Sequence, residues 1–208
     1  MTRYDPLRHH RRSIRLKGYD YASAGAYFVT MCVHGRECVL GEVVEGEMRL
    51  NDFGLAANAC WHGLPRHFCN VAVDALIIMP NHIHGIVVLV EGALGKGEAF
   101  AVQEPGISGP LPANASPLRP IGTQPGSLGA IIQNFKSIAA RKINALRGTP
   151  GLQVWQRNYY EHIVRDEREL NAIRQYIADN PLKWALDRDN PATACPMAAT
   201  VDDYLDDL

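Results

Sequence analysis

The sequence lacks the features of a membrane-spanning or secreted protein. Its longest apolar runs are far shorter than the ~20 residues needed to cross a bilayer, and its N-terminus is polar and basic, without the apolar core of a secretory signal. The five cysteines are scattered and form no CxxC pair, which argues against a disulfide framework and a cysteine zinc site. We therefore expect a cytoplasmic protein with reduced thiols and no membrane partner.

A large excess of either charge is also absent, because the formal net charge is only −1, but the charges are unevenly distributed. Residues 1–18 form a basic arm that carries Arg3, Arg8, Arg11, Arg12, Arg15 and Lys17. Residues 185–208 form an acidic tail that contains Asp202, Asp203, Asp206 and Asp207. A basic arm is typical of proteins that bind a polyanion such as nucleic acid, although a charged run can also serve solubility alone.

Between these ends, residues 19–184 are predicted to form one domain. Segments rich in β-formers predict strands at 26–33, 71–79, 82–90 and 159–164, with a weaker hairpin at 39–50. Apolar residues at helical spacing predict helices at 52–64, 127–146 and 166–180. The last of these begins at a capping pair, Asp166 and Glu169, and is expected to end near Asn180 because Pro181 follows.

The element order, without the hairpin and the last helix, is βαββαβ. This order predicts an α+β protein of the ferredoxin-like type, in which helices cover one face of an antiparallel sheet. Residues 91–126 are rich in proline and glycine and show no period, so we expect a long insertion in this domain. The tail after Trp184 is expected to be peripheral.

The stretch Asp74–Val90 contains the first candidate functional residues. Met79-Pro80-Asn81 has the composition of a tight turn, and a strand beginning His82-Ile83-His84 follows it. Alternate side chains of a strand share one face, so both imidazoles project together while Ile83 points the other way. Such a pair is a plausible half of a metal site. It is also compatible with two polar residues on a solvated face.

The last predicted helix contains Tyr176 and Asn180, which are one turn apart and share a face. A tyrosine hydroxyl can act as a nucleophile, but its ordinary pKa of about 10 means that it requires an activated electrophile. A divalent ion on two imidazoles and an amide oxygen would provide such activation at a phosphoryl group. The alternatives are a half-buried aromatic for Tyr176 and a helix cap for Asn180.

With these residues in place, the sequence resembles the REP-associated tyrosine transposases, relatives of the single-tyrosine (Y1) transposases of the insertion-sequence 200/605 type in the HUH superfamily. HxH alone is a weak signal, but the combination of several segments in family order is specific. The segments are Arg15–Tyr21 leading into Tyr27–Thr30, Met79–Gly85, Phe135–Ser137, Trp155–Arg165 and Tyr176–Pro181.

The resemblance implies that His82, His84 and Asn180 hold a divalent ion, Mg²⁺ or Mn²⁺, and that Tyr176 is the nucleophile. It implies cleavage and rejoining of single-stranded DNA hairpins, REP-like palindromes, through a 5′-phosphotyrosine intermediate. It also implies an HUH-type fold, a nucleoid-associated location and a monomer or homodimer. DNA contacts are expected from the basic arm and from the third helix, through Arg11, Arg12, Arg15, Lys17, Lys136 and Arg141.

Several alternatives remain open at the level of sequence. Tyr159 and Tyr160 are rival nucleophiles by chemistry, and His162 belongs to the similar segment but is expected to be structural or to face DNA. A DNA-hairpin binding protein without turnover and a metal-dependent hydrolase that uses water are the competing functions. The hydrolase has no clear carboxylate base beside the histidines, since Asp74 lies at the far end of the other strand.

Overall fold

The computed structural model describes residues 16, 18–91, 123–187, 189–193 and 200–206. Its strands are β1 (Gly25–Cys32), β2 (Gly41–Val44), β3 (Glu47–Leu50), β4 (Val71–Ile78), β5 (His82–Leu89) and β6 (Tyr160–Val164). Its α-helices are α1 (Asp52–His62), α2 (Leu64–His67), α3 (Leu128–Leu146), α4 (Glu167–Lys183) and α5 (Val201–Asp206). Most of the basic arm and most of the 91–126 insertion lie outside the described residues.

The main sheet has the strand order β4-β5-β1-β6, and every neighbouring pair is antiparallel. Strands β2 and β3 form a separate hairpin, as the sequence predicted. This order is that of the ferredoxin-like βαββαβ pattern, so the predicted α+β class and antiparallel sheet are confirmed. No helix within the described part of the chain is long and apolar enough to cross a bilayer.

One face of the sheet supports the larger apolar core. Alternate residues of β1 and β5, such as Tyr27, Val29 and Val87, pack there with the apolar sides of α1 and α3. The two helices of the βαββαβ pattern therefore share one face, as predicted. Gly85 shows how closely they pack, because a Cβ atom at this position would lie 2.5 Å from the Trp61 ring of α1.

The opposite face is covered by α4, which packs on a smaller apolar cluster. This cluster contains Phe28, Ile86, Ile173, Ile177 and Val201. The cap of α4 is formed as predicted, since the Asp166 carboxylate accepts a hydrogen bond from the Glu169 N–H at 2.8 Å. Because α4 follows the last strand of the pattern, it supplies a helix to the face that the other two leave open.

Two predictions about the C-terminal part are wrong. Helix α4 does not end at Asn180 but runs to Lys183 with Pro181 inside its last turn. A proline there removes a single helical hydrogen bond, to the carbonyl of Ile177, and the helix tolerates this loss near its end. The tail is not peripheral either, because Val201 of α5 is 5% exposed and packs in the same cluster as Phe28 and Ile177.

Candidate active site

The two histidines lie at the start of β5 and face α4. His82 is 0% exposed and His84 is 5% exposed, and their ring centroids are 4.6 Å apart. Ile83 between them is buried in the core on the opposite face. Strand alternation therefore brings both imidazoles to one interior position, as the sequence predicted. The prediction that they could lie on a solvated face is wrong, because α4 and the segment after it cover them.

Helix α4 places Tyr176 directly against this pair. The Tyr176 hydroxyl oxygen lies 3.4 Å from Nε2 of His84, and the two ring centroids are 5.2 Å apart. Phe28 of β1 packs against both rings, stacked on His84 at 5.5 Å and edge-on to Tyr176 at 5.9 Å. The Phe28 ring on the sheet thus contacts both the phenol and the imidazole and holds them beside each other.

Asn180, one turn after Tyr176, is buried on the same side of α4. Its side-chain nitrogen donates a hydrogen bond to the Tyr176 carbonyl at 3.2 Å, which leaves its oxygen for another partner. That side chain lies close enough to His82 to act on its pKa. The structure therefore brings together all four residues that the resemblance named at the centre of the site.

Each imidazole has a partner at Nδ1. Nδ1 of His84 lies 2.8 Å from the Thr30 hydroxyl, and Nδ1 of His82 lies 2.9 Å from the side-chain oxygen of Asn81. Sequence reasoning missed both partners. Asn81 was interpreted only as a turn former, and the pairing of Thr30 with His84 follows from the strand register between β1 and β5.

The second ring nitrogen of each imidazole, Nε2, is the atom that would bind a metal ion. Among the described residues, no atom makes a hydrogen bond of normal geometry to Nε2 of His82, although the atom is buried. A buried nitrogen without such a bond is costly unless a ligand satisfies it. No three His, Cys, Asp or Glu side chains cluster in the described part of the chain, so a third ligand beside the two imidazoles would have to be of another kind, and the resemblance implies the Asn180 amide oxygen.

Burial controls the charge of His82. Its removal from water lowers the pKa of the imidazole, and the nearby Arg36 cation acts in the same direction, while Asp187 and Asp189 oppose it. The lowered pKa favours the neutral imidazole, which has a lone pair. A neutral imidazole is the form that binds a metal ion.

The rival nucleophiles are placed differently. Tyr159 packs with the core on the α1–α3 face. Tyr160 is on the α4 side of the sheet, but its hydroxyl donates a hydrogen bond to Asp202 at 3.1 Å, and burial raises its pKa. Only Tyr176 of these three has its hydroxyl within 3.5 Å of an imidazole nitrogen in the described hydrogen bonds.

His162 and Glu169 form a pair at the start of α4. Nε2 of His162 lies 2.8 Å from one carboxylate oxygen of Glu169, and the other oxygen accepts a hydrogen bond from the Arg165 N–H. This pair joins β6 to the first turn of α4. The location agrees with the structural alternative that was offered for His162.

The predicted DNA-binding residues are not gathered at this site. Arg11, Arg12, Arg15 and Lys17 lie outside the described residues. Arg141 is exposed on α3, the helix that covers the other face of the sheet. Lys136 is partly buried, and its ammonium donates hydrogen bonds to the carbonyls of Gln156 and Asn158 at 3.0 and 2.8 Å. Lys136 thus ties α3 to the segment that precedes β6.

Comparisons with known proteins found a sequence relative and several structural neighbours. An uncharacterized protein of Haemophilus influenzae (strain Rd) is 41% identical over 187 residues, which cover 90% of this chain and 97% of that protein. No family model matches the chain.

The first structural neighbour is a REP-associated tyrosine transposase bound to a REP hairpin. It is 15% identical with a TM-score of 0.49, and the match covers 81% of this chain and 73% of that one. The second, from Deinococcus radiodurans R1, carries a provisional transposase assignment. It is 15% identical with a TM-score of 0.41, and the match covers 79% of this chain and 97% of that one. Similarity at this level does not by itself assign an activity.

Proposed function

This chain belongs to the same family as the Haemophilus influenzae protein, and we propose that it is a single-stranded DNA transposase of the HUH, single-tyrosine type. Its substrates are DNA hairpins of the REP-like palindromic kind, which it cleaves and rejoins. The observation that carries the proposal is the contact between the Tyr176 hydroxyl and Nε2 of His84 at 3.4 Å, beside the buried His82 and Asn180. The sequence segments that resemble the REP-associated tyrosine transposases support the same conclusion.

Tyr176 is the proposed nucleophile. Its oxygen attacks the phosphorus of a DNA phosphodiester, the new bond joins this oxygen to phosphorus, and the bond to the 3′ oxygen breaks. The phenolic proton is lost and the departing 3′ oxygen gains one, so the products are a 5′-phosphotyrosine ester and a free 3′-hydroxyl. Attack by another 3′-hydroxyl reverses these steps and joins strands, so no nucleotide cofactor is required.

His82, His84 and Asn180 would hold the divalent ion, Mg²⁺ or Mn²⁺, through the two Nε2 atoms and the amide oxygen. When bound, such an ion polarises a phosphoryl oxygen and stabilises the charge that develops on it. The chain's own contribution is positional. Phe28 and Asn180 hold the phenol and the ligands on one side of the sheet, and α4 with the segment after it excludes water from His82.

DNA binding is proposed to combine the basic arm with α3. Arg11, Arg12, Arg15, Lys17 and Arg141 would contact phosphates, and these contacts weaken as salt rises. Lys136, also expected to contact DNA, has two of its donors occupied by the carbonyls of Gln156 and Asn158, so its third donor is the one available to a phosphate. Because α3 lies on the face away from Tyr176, the contacts made by Arg141 and Lys136 would hold the hairpin at a distance from the cleaved bond.

The test is formation of a covalent protein–DNA adduct. Wild-type protein is incubated with a single-stranded hairpin DNA and Mn²⁺ or Mg²⁺, and the mixture is separated on a denaturing gel. We expect a slow band that contains both protein and DNA, absent without metal and absent in Tyr176→Phe. The matched control is Tyr160→Phe, since Tyr160 lies on the same side of the sheet with its hydroxyl bonded to Asp202. This control should still give the band.

The same experiment distinguishes the competing functions. Binding of the hairpin without any cleavage would indicate a DNA-hairpin binding protein and overturn the proposal. Cleavage without an adduct would indicate a hydrolase that uses water, and an adduct that persists in Tyr176→Phe would identify a different nucleophile. Loss of the adduct in His82→Ala and His84→Ala, with hairpin binding retained, would support the metal role of the two imidazoles.

A further inference from the structure

The hydrogen bonds around Asn81 determine the direction in which it bonds to His82. The Asn81 side chain is 0% exposed, and its nitrogen donates to the carbonyl of Arg36 at 3.1 Å and to the carbonyl of Asp189 at 2.5 Å. Both carbonyls only accept, so the amide nitrogen must face them and the amide oxygen must face His82. That oxygen lies 2.9 Å from Nδ1 of His82.

This orientation assigns the proton of the imidazole. An amide oxygen accepts hydrogen bonds and cannot donate one, so Nδ1 of His82 carries the hydrogen. A neutral imidazole has one N–H, which leaves Nε2 with a lone pair. Nε2 is the buried atom for which no normal hydrogen bond exists among the described residues. The lone pair therefore faces the position where the metal ion is proposed.

The second carbonyl of this network comes from the segment after α4. This segment has hydrogen bonds of its own, since the Asp189 N–H donates to the Asp187 carboxylate at 2.7 Å, and the Asn190 side chain donates to the Trp184 carbonyl at 2.9 Å. The Asp189 carboxylate also pairs with the Arg36 guanidinium. The two residues whose backbone carbonyls hold Asn81, Arg36 and Asp189, are thus joined to each other by their side chains.

We propose that Asn81 is a positioning residue that fixes the tautomer of His82, and that Asp189 supports the metal site through its backbone carbonyl, which holds Asn81. The inference rests on the proposed function only in taking His82 as a metal ligand. Groups that hydrogen-bond to a metal ligand without touching the metal orient the imidazole and make it a better ligand.

The two histidines differ in this respect. Nδ1 of His84 meets the Thr30 hydroxyl, which can donate or accept and therefore leaves the tautomer of His84 open. The partner of His82 Nδ1 is the Asn81 side-chain oxygen, which can only accept a hydrogen bond. We therefore expect Thr30→Val to affect the metal site less than removal of the Asn81 oxygen does.

The first measurement is direct observation of the tautomer. Metal-free protein with ¹⁵N-labelled histidine is studied by imidazole ¹⁵N–¹H correlation NMR, and the His82 signals are assigned by their loss in His82→Asn. We expect the hydrogen on Nδ1 in the wild type and in Asn81→Asp, which keeps an acceptor oxygen. We expect a mixture of tautomers or the Nε2–H form in Asn81→Ala. A wild-type His82 with its hydrogen on Nε2 would overturn the proposal, even if no variant folds.

The second measurement is the affinity of the same proteins for Mn²⁺ alone, by isothermal titration or by electron paramagnetic resonance of free Mn²⁺. Loss of such a partner lowers metal affinity by about 10–100-fold, so we expect this loss in Asn81→Ala. Asn81→Asp keeps an acceptor for Nδ1 of His82 but no longer donates to the carbonyls of Arg36 and Asp189, so we expect a smaller loss in that variant. Asn144→Ala is the matched control, because it removes another buried asparagine whose amide donates to a backbone carbonyl, that of Leu152, but on α3 at the other face of the sheet, and it should bind Mn²⁺ normally. Equal affinity of wild type and Asn81→Ala would contradict the proposal.

These results separate the inference from the proposed function. Mn²⁺ binding that depends on Asn81, without any protein–DNA adduct, would support the inference and overturn the function. An adduct together with a wild-type His82 protonated on Nε2 would support the function and overturn the inference.

Discussion

The two faces of the main sheet differ in what their side chains do. The face under α1 and α3 is occupied by a continuous apolar core that includes Trp61, Phe135 and Trp155. The face under α4 has a smaller apolar cluster, and beside it the buried polar residues Asn81, His82, His84 and Asn180. The same strands supply both sets, because alternate side chains of a strand point to opposite faces.

This difference teaches where stability and chemistry reside in the molecule. Close-packed apolar side chains contribute most to the free energy of unfolding, whereas buried polar groups contribute little net stability unless each is paired. The α1–α3 face should therefore control stability, and the α4 face should control activity. The variants below test this separation in order of decreasing effect on the free energy of unfolding.

Phe135→Ala on α3 should have the largest effect. Phe135 is 1% exposed and packs edge-on against Trp61, with ring centroids 5.5 Å apart, so its truncation leaves a cavity. We expect a loss of about 3–5 kcal/mol in the free energy of unfolding by urea denaturation. At a temperature where this variant is folded, its affinity for Mn²⁺ should equal that of the wild type. A parallel loss of metal affinity would show that the two faces are not independent.

Lys136→Met should have a smaller effect, because the ammonium bonds to two backbone carbonyls before β6. We expect a loss of about 1–2 kcal/mol at pH 7. Burial lowers the pKa of Lys136 to about 8 from its ordinary 10.5. Between these values the unfolded chain binds more protons, so wild-type stability should gain a contribution as pH rises through this interval.

Urea unfolding of Lys136→Met and the wild type at several values between pH 7.5 and 10.5 would check this prediction. The difference in stability between them should change with pH over that interval. A constant difference would mean that the lysine has an ordinary pKa in the folded protein. It would also mean that burial does not govern its charge.

Asp74→Asn should have a still smaller effect. Asp74 on β4 accepts two hydrogen bonds from the Arg174 side chain on α4, at 2.9 and 2.5 Å, and this pairing lowers the pKa of the carboxyl group. A lowered carboxyl pKa stabilises the fold above the unfolded value and loses this contribution as pH falls through the folded one. Both side chains are partly exposed, so we expect only about 0.5 kcal/mol at pH 7.

The check is the stability of wild type and Asp74→Asn between pH 7 and 3. Their difference should shrink as the pH falls below about 4. A difference that grows toward acid would contradict the predicted direction. Arg174→Gln is the companion variant and should show the same behaviour, since it removes the other half of the pair.

Tyr176→Phe should have the smallest effect on stability, although it is expected to abolish adduct formation. The ring contacts with Phe28 and His84 remain, and the hydrogen bond from the hydroxyl to His84 is a long one of 3.4 Å. We expect a change within about 0.5 kcal/mol. A loss of several kcal/mol would show that the hydroxyl holds the structure together, and the loss of the adduct would then have a structural explanation.

Sequence patterns predicted the elements on the α1–α3 face well. The helical period of α3 identified Leu128, Ile131, Ile132, Phe135, Ile138, Ala139 and Ile143, and all of these except the half-buried Ile138 are buried. The period was less informative for α1, where Leu55 is 53% exposed and Trp61 is fully buried. A short helix with glycine and alanine on its buried side gives a weak pattern, because the partner surface decides which side turns inward.

The surroundings of the histidines were predicted less well. The shared face of His82 and His84 follows from strand alternation alone. The roles of Thr30 and Asn81 depend on strand register and on backbone carbonyls at positions 36 and 189, which lie far apart in the chain. The tail after Trp184 is rich in alanine, proline and aspartate, which predicts a peripheral segment, yet its polar groups make hydrogen bonds inside the fold.

The sequence by itself determined the α+β class, the antiparallel sheet and the common face of the two imidazoles, because each depends on periodicity within one segment. Only the tertiary structure decided that α4 lies over those imidazoles, that Tyr176 is the tyrosine that reaches them and that Asn81 is held from positions 36 and 189. These features require contacts between residues up to 108 positions apart. Such contacts arise from the packing of whole elements, which no local pattern encodes.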